Sequence, residues 1–397
     1  MNGADAIMKC LEAEGVELVF GYPGVAICPF FNSILDSDIK AILVRQEQNA
    51  AHAASGYARV SGKVGVCVTT SGPGATNVIT GIATAYADSI PLVCFTGQVK
   101  TSLLGSDGFQ EADITGATES FVKYSYLVKN VNDLPRIIKE AFYIANTGRK
   151  GPVLIDLPFD VQNAQIRDFE YPREVNMRTY KPVYKGHANQ IKKVLNVLKE
   201  SQKPLICVGG GVVLSDARKE VRDFVKKFGI PAVSTLMGLS TMSSDDPLYL
   251  GMLGQNGRYK ANRALNMCDT LIMIGARVAD RAVNNPEFVY EGKTLVHIDI
   301  DSAEIGKNIG FNIPIVGDAK AILKEFNRSD LKTDHSEWIR ELSEIGDPES
   351  KRKFRADRYA DPAGFVSLLS KKMEDDAIYV ADVGQNQMFS CGNYHSK

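Results

Sequence analysis

Short apolar runs alternate with stretches of helical period along most of this chain. That alternation leaves room for little besides parallel sheets built from βα units, because each strand must return over a helix before the next begins. In the first third the expected strands are Glu17–Phe20, Ala41–Val44, Val64–Thr69, Leu92–Thr96 and Val153–Asp156. Each is followed by a Gly or Pro turn and then a helical stretch, as in GYPG after the first and TSGPGAT after the third. A compact α/β domain over residues 1–165 follows, near the usual domain size of roughly 100–150 residues. Residues 171–189 are polar, carry two prolines and show no period, so they read as a linker.

A second α/β domain is expected over residues 190–327. It opens with a helix Gln190–Glu200 and a strand Leu205–Val208 that runs into Gly209-Gly210-Gly211, with further strands at Ala232–Thr235, Thr270–Ile274 and Leu295–Ile300. Residues 328–361 are highly charged and read as a connector with helical pieces. A third region over residues 362–397 offers a helix and a strand Ala377–Ala381. One helix and one strand cannot bury a core alone, so this region is expected to be a domain cut short. The fold class is therefore α/β, with parallel-sheet three-layer domains: a first domain, a Rossmann-like middle domain and an incomplete third.

Composition narrows the function classes. Lys and Arg total 46 against 47 Asp and Glu, so the chain has no electrostatic footprint for nucleic acid or an anionic membrane. Seven cysteines are scattered without C-x-x-C spacing, several within apolar runs, which suits reduced buried thiols in a cytoplasmic protein. The five histidines form no metal-ligand spacing. The first residues form an amphipathic helix pattern with interspersed acids, not a signal peptide, and no apolar run is long enough to span a bilayer.

Four motifs carry possible chemistry. Gly21-Tyr22-Pro23-Gly24 closes a strand, where glycine permits a sharp turn and close ligand approach; an ordinary strand-to-helix turn would look the same. Glu47 lies just after a strand at the opening of a helix, the carboxyl end of the sheet, where ligands bind; a first-turn acid complementing the helix dipole would also sit there. Ser71-Gly72-Pro73-Gly74-Ala75-Thr76-Asn77 is a glycine-rich loop able to turn backbone N–H groups toward an anion, without the lysine of a Walker A motif. Gly209-Gly210-Gly211 lacks the full dinucleotide pattern.

In their order along the chain, GYPG, RQEQNAAHAASGYAR, TTSGPGATN, TGQV, DGFQEAD, GPVLIDLP, HIDID-x-AEIGKN and DVGQNQM resemble the large catalytic subunit of acetohydroxyacid (acetolactate) synthases, thiamine-diphosphate-dependent enzymes. The resemblance runs from the first residues to the last. It implies that the first domain holds the cofactor's aminopyrimidine, the middle domain binds FAD, and the last binds the diphosphate through Mg2+. It further implies that two subunits build each site, in a homodimer or tetramer, with a small regulatory subunit as a further possible partner.

On that resemblance Glu47 is the catalytic carboxyl group, exchanging a proton with the aminopyrimidine in a low-dielectric cleft that raises its pKa. Pyruvate would be decarboxylated and the two-carbon unit joined to a second 2-keto acid, pyruvate or 2-ketobutyrate, in branched-chain amino acid biosynthesis. Gln110 matches a second catalytic residue on the substrate side, able to hold a keto oxygen or carboxylate. Tyr22, Pro23, Gly24, Gly72 and Asn77 match cofactor contacts. Arg149, Gly210, Asn256, Asp299 and Asp318 match the flavin's surroundings, and Gly384 and Gln385 the start of the diphosphate site. Val25, Phe109 and Phe159 match positions lining the substrate channel.

Several positions depart from the family pattern. Val25 stands where a second glycine is usual and would resist a positive φ, and Phe159 replaces a lysine. Lys100 replaces a proline, Gln255-Asn256 a Met-His pair, and Val278 and Ala279 an aromatic and an acid. Asn386 and Phe389 replace a histidine and a tryptophan. Flavin binding is thereby less secured than thiamine diphosphate binding. The family's metal motif is not among these residues, so no metal ligand is named and the diphosphate is expected to bind poorly. Two other readings remain open: a different thiamine-diphosphate-dependent 2-keto acid decarboxylase or carboligase, and a non-catalytic truncated paralogue.

Overall fold

The structure, a computed structural model, describes residues 1–279, 282–283, 287–346, 348 and 361–397. Part of the charged connector read over residues 328–361 therefore lies outside the described residues. So do the two residues that complete the ARVADR string. The chain forms two compact units, Met1–Pro182 and Val183–Lys397.

In the first unit six strands form one wholly parallel sheet: β1 (Leu18–Gly21), β2 (Lys40–Leu43), β3 (Gly65–Thr69), β4 (Leu92–Gln98), β5 (Tyr124–Leu127) and β6 (Pro152–Pro158). Their order is β2-β1-β3-β4-β6-β5. β3, β4 and β6 are buried on both faces, which is why GVCVT and PVLIDLP read as continuous apolar runs rather than alternating ones. Val66, Val68, Val93, Phe95, Val153 and Ile155 share one core with the helices Gly3–Ala13 and Leu134–Asn146. Against the other side of β3 lies the helix Glu47–Ser61, whose buried stripe is Ala50, Ala51, Ala54 and Ala58. Small residues let it approach so closely that a Cβ on Gly65 would stand 2.2 Å from Ala54 O.

The second unit repeats the architecture with β7 (Pro204–Val208), β8 (Ala232–Ser234), β9 (Tyr249–Met252), β10 (Thr270–Ile274), β11 (Thr294–Asp299) and β12 (Ile313–Val316), ordered β12-β11-β10-β7-β8-β9 and all parallel. Alternate residues of the central strands feed two cores. Ile206, Ile272 and Val296 enter one, with helices Arg218–Phe228 and Ala319–Arg328. Leu205, Leu271 and Leu295 enter the other, with Trp338. The α/β three-layer reading stands for both units.

Residues 362–397 give helices Pro362–Lys372 and Gln385–Asn393, but Ala377–Ala381 is not a strand. Its apolar run suits a strand, yet among the described residues no strand pairs with it, and a ladder needs two partners. Among the described residues no helix is long and apolar enough to cross a membrane.

Candidate functional site

In the first sheet the chain goes from β1 to β2 on one side and returns to β3 on the other, so the strand order reverses between β1 and β3. Open α/β sheets bind ligands outside the carboxyl ends of the strands at such a reversal. The two glycine turns read from sequence leave the sheet here, GYPG from β1 and TSGPG from β3. Tyr22 N–H donates to Val68 O at 3.1 Å, carrying the strand pairing one residue past β1. A Cβ on Gly24 would lie 2.5–2.6 Å from the Thr70 side chain, so glycine is required for the two turns to pass.

Thr69 Oγ1 and Thr70 Oγ1 are buried at this point and have no hydrogen-bond partner among the described residues. Buried hydroxyls are normally bonded. These unpartnered oxygens beside glycine turns therefore mark a place fitted to receive a polar ligand. The amides of the second turn are less available than its composition implies: Gly74 N–H donates to Ser71 O and Thr76 N–H to Gly72 O.

Glu47 opens the helix that starts after β2, beside the same turn. Asn77 Nδ2 donates to Glu47 Oε2 at 2.9 Å, and a Cβ on Gly74 would stand 3.6 Å from Glu47 Oε1. The Glu47 carboxyl group is half-buried, so within the first unit the low-dielectric enclosure expected around it is incomplete.

Gln110 reaches the same turn from the loop after β4. It holds φ +58, unusual for a residue with a side chain, and a Cβ on Gly72 would lie 2.8 Å from its Cβ. Glu111 braces this loop by accepting from Gly105 N–H and Gly108 N–H, which hold its carboxyl below the usual range. Asp160 braces the loop's start by accepting from Thr101 N–H and Oγ1. Phe109, Val25, Tyr22, Pro23 and Gln110 are exposed, and Phe159 is half-buried at the start of the short helix Phe159–Asn163. Val25 begins a 3-10 turn and has no positive φ, so its side chain is accommodated where strain was expected. Lys100 is likewise exposed. The structure thus gathers Tyr22–Val25, Glu47, Gly72, Asn77 and Gln110 around one strand reversal. Thr70, whose hydroxyl is buried between the two turns, is not distinguished in the sequence from the rest of its motif.

The second sheet reverses between β7 and β10, where the Gly209–Gly211 turn lies. Gly211 N–H donates to Gly275 O at 2.9 Å, and a Cβ on Gly210 would stand 3.0 Å from Met237 Cβ. The chain's own packing thus accounts for much of this glycine run. Asp318 caps the helix Ala319–Arg328 by accepting from Ala321 N–H at 2.9 Å, and Asp299 Oδ1 accepts from Asp301 N–H at 2.9 Å. Asn256, Gly384 and Gln385 are exposed. Arg149, in the first unit, donates from Nε to Ser89 Oγ at 3.0 Å. Among the described residues no group of three or more His, Cys, Asp or Glu side chains could hold a metal ion.

Two family models match the chain: the N-terminal TPP binding domain of thiamine pyrophosphate enzymes over residues 1–117, and the central domain of the same enzymes over residues 191–326. Among known proteins it is similar to the probable acetolactate synthase large subunit of Methanocaldococcus jannaschii, at 44% identity over all of this chain and 69% of that protein. It is also similar to the acetolactate synthase large subunit of Haemophilus influenzae, at 43% identity over 99% of this chain and 70% of that protein. The large subunit of Escherichia coli acetolactate synthase isozyme 3 is 40% identical over the same shares, 99% and 70%. The family models fall on the two units that carry the strand reversals, and the chain belongs to the acetolactate synthase large-subunit family of thiamine pyrophosphate enzymes.

Proposed function

We propose that this chain is an acetolactate synthase catalytic subunit, in which pyruvate is decarboxylated and its two-carbon unit joined to a second pyruvate or to 2-ketobutyrate. Thiamine diphosphate, when bound, supplies the electron sink for the decarboxylation. The observation that carries the reading is the Glu47 carboxyl group, held by Asn77 at the strand reversal beside the unpartnered Thr69 and Thr70 hydroxyls. Glu47 would hold and exchange a proton with the cofactor's aminopyrimidine. Tyr22, Pro23, Gly24, Gly72 and Asn77 would shape the cradle around that ring. Gln110 would donate its amide to the keto acid, with Phe109, Val25 and Phe159 as apolar walls that exclude water.

Glu47 is half-buried and Phe109 is 88% exposed in the single chain, so a second copy facing this edge is our proposal for what completes the enclosure. Leu43 and Val25, also exposed at the carboxyl end of the sheet, support a homodimer. A regulatory subunit, Mg2+ at the diphosphate and FAD at the β7–β10 reversal belong to the same proposal. The flavin would meet Gly210, Asn256, Asp299 and Asp318. Gly384 and Gln385 would approach the diphosphate. The seven free cysteines suit a reducing cytoplasm.

The test is colorimetric detection of acetoin from acetolactate, in protein expressed from the complete gene and given pyruvate, thiamine diphosphate and Mg2+. Glu47→Gln is expected to lower the rate by about 10²–10⁴-fold, the usual contribution of a positioned proton-transfer group. Pyruvate consumption without acetolactate would reassign the chain to a sibling decarboxylase. A visible flavin spectrum in the purified protein tests the FAD assignment.

A further inference from the structure

The mechanism above leaves unused a buried polar cluster behind the Gln110 loop. Thr96 and Asp156 face each other in register on β4 and β6. Asp156 Oδ1 accepts from Thr96 Oγ1 at 2.7 Å, and Asp156 Oδ2 accepts from Gln98 Nε2 at 2.9 Å. The same Gln98 Nε2 donates to Ala112 O at 2.7 Å, while Gln98 Oε1 accepts from Val99 N–H at 2.9 Å. All three side chains are buried, Asp156 to 1% exposure. A carboxyl group here, partnered among the described residues by a hydroxyl and an amide and by no cation, is costly to bury. A hydrophobic side chain could fill the space between two strands, but it could not orient an amide.

What the cluster orients is the far end of the Gln110 loop. Asp160 holds the loop at Thr101 and Glu111 holds its middle, whereas Ala112 is tied to the sheet through Gln98. With both protons of the Gln98 amide engaged by Asp156 and Ala112, and its oxygen by Val99, the side chain has one orientation that satisfies every partner. We infer that Gln98, oriented by Asp156, is a positioning residue that holds the 99–113 loop against Gly72 and so presents Gln110 to the site. This rests on the reading of Gln110 as a substrate-side group, and the experiment below separates the two.

Hydrogen exchange of the 99–113 amides would be measured in the wild-type chain, Gln98→Met, Asp156→Ala and Asp156→Asn. Acetolactate kinetics and thiamine diphosphate affinity would be measured for the same substitutions in protein from the complete gene. Gln98→Met and Asp156→Ala are expected to speed exchange in the loop at least tenfold, with β3 and β4 amides unchanged. They should lower kcat about tenfold, with cofactor affinity within twofold. Asp156→Asn can still offer an oxygen to Gln98 while its amide donates to Thr96, so it should restore both exchange and kcat to within threefold of wild type. Asp156→Leu, which fills the space but offers Gln98 no oxygen, should rescue neither, whereas a merely space-filling role predicts that it rescues as well as Asp156→Asn. Loop exchange unchanged in Gln98→Met overturns the proposal, and Gln98→Met carries the test even if Asp156→Ala fails to fold. Failure of Asp156→Asn to rescue a folded Asp156→Ala overturns the part assigned to Asp156. A loosened loop with unchanged kcat would uphold the positioning and overturn the role given to Gln110.

Discussion

Asp156 lies between Thr96 and Gln98 with almost no access to water, and burial pushes its carboxyl up to about 7 from an ordinary value of 3.8. Between those two values the folded chain keeps a proton that the unfolded chain has released. Stability from this group is therefore complete below about pH 4, falls as pH rises and levels off above about 7, for a total on the order of 4 kcal/mol. Asp156→Asn has no such proton, so its stability relative to wild type should rise by about 3 kcal/mol between pH 5 and pH 8. Urea unfolding at the two pH values checks this, and a constant difference between the proteins would refute the assignment. Glu47 could be named as a candidate from sequence because a strand, an acid and a helix opening adjoin one another along the chain, and the family resemblance, not this pattern, set it apart from a first-turn acid complementing the helix dipole. Asp156 and Gln98 could not, being 58 residues apart and joined only by the adjacency of β4 and β6.

At the scale of elements, the turn after β3 is the part of the site most sensitive to backbone chemistry. Gly72 has φ +57 and ψ −120, and the Gln110 backbone and Cβ fill the place where its side chain would go. Gly15 also has positive φ, at +70, but open space around it. Gly15→Ala should therefore cost only the left-handed strain of about 1 kcal/mol. Gly72→Ala should cost about 3 kcal/mol, because a clash with the Gln110 loop is added to the strain. Denaturant midpoints of the two variants give the comparison, and equal losses would mean that the loop yields freely. Element legibility largely followed position in the sheet. The interior strands β1, β3, β4, β6, β7, β8, β10 and β11 were all readable, and so was one edge strand, β2. Three strands escaped, β5, β9 and β12, and each lies at a sheet edge. Edge strands need be apolar on less of their surface and tolerate residues such as Pro314, so YSYL, YLGM and IPIV carry little signal.

At the scale of the whole molecule, the segment read as a linker is tied down more firmly than its polar composition suggests. Tyr171, Met177 and Tyr180 pack on the core of the first unit, and Tyr180 Oη donates to Thr147 O at 2.7 Å while Lys123 Nζ donates to Tyr180 Oη at 2.8 Å. From the other end, Asp318 N–H donates to Tyr184 O at 2.8 Å and Gly186 lies against Ile315 and Ile322 within the second unit. Proteases need an opened stretch of chain, so cleavage at Arg173 or Arg178 must wait for the aromatic anchors to detach. Tyr180→Ala removes a packed ring and its hydrogen bonds, a loss of about 2 kcal/mol for local opening. When reclosing is faster than cutting, cleavage follows the open population, so trypsin should cut at Arg173 and Arg178 roughly 30-fold faster in Tyr180→Ala than in wild type. Timed digestion followed by mass spectrometry of the fragments would show this. Equal rates in the two proteins would mean that residues 171–182 behave as the free linker their composition describes.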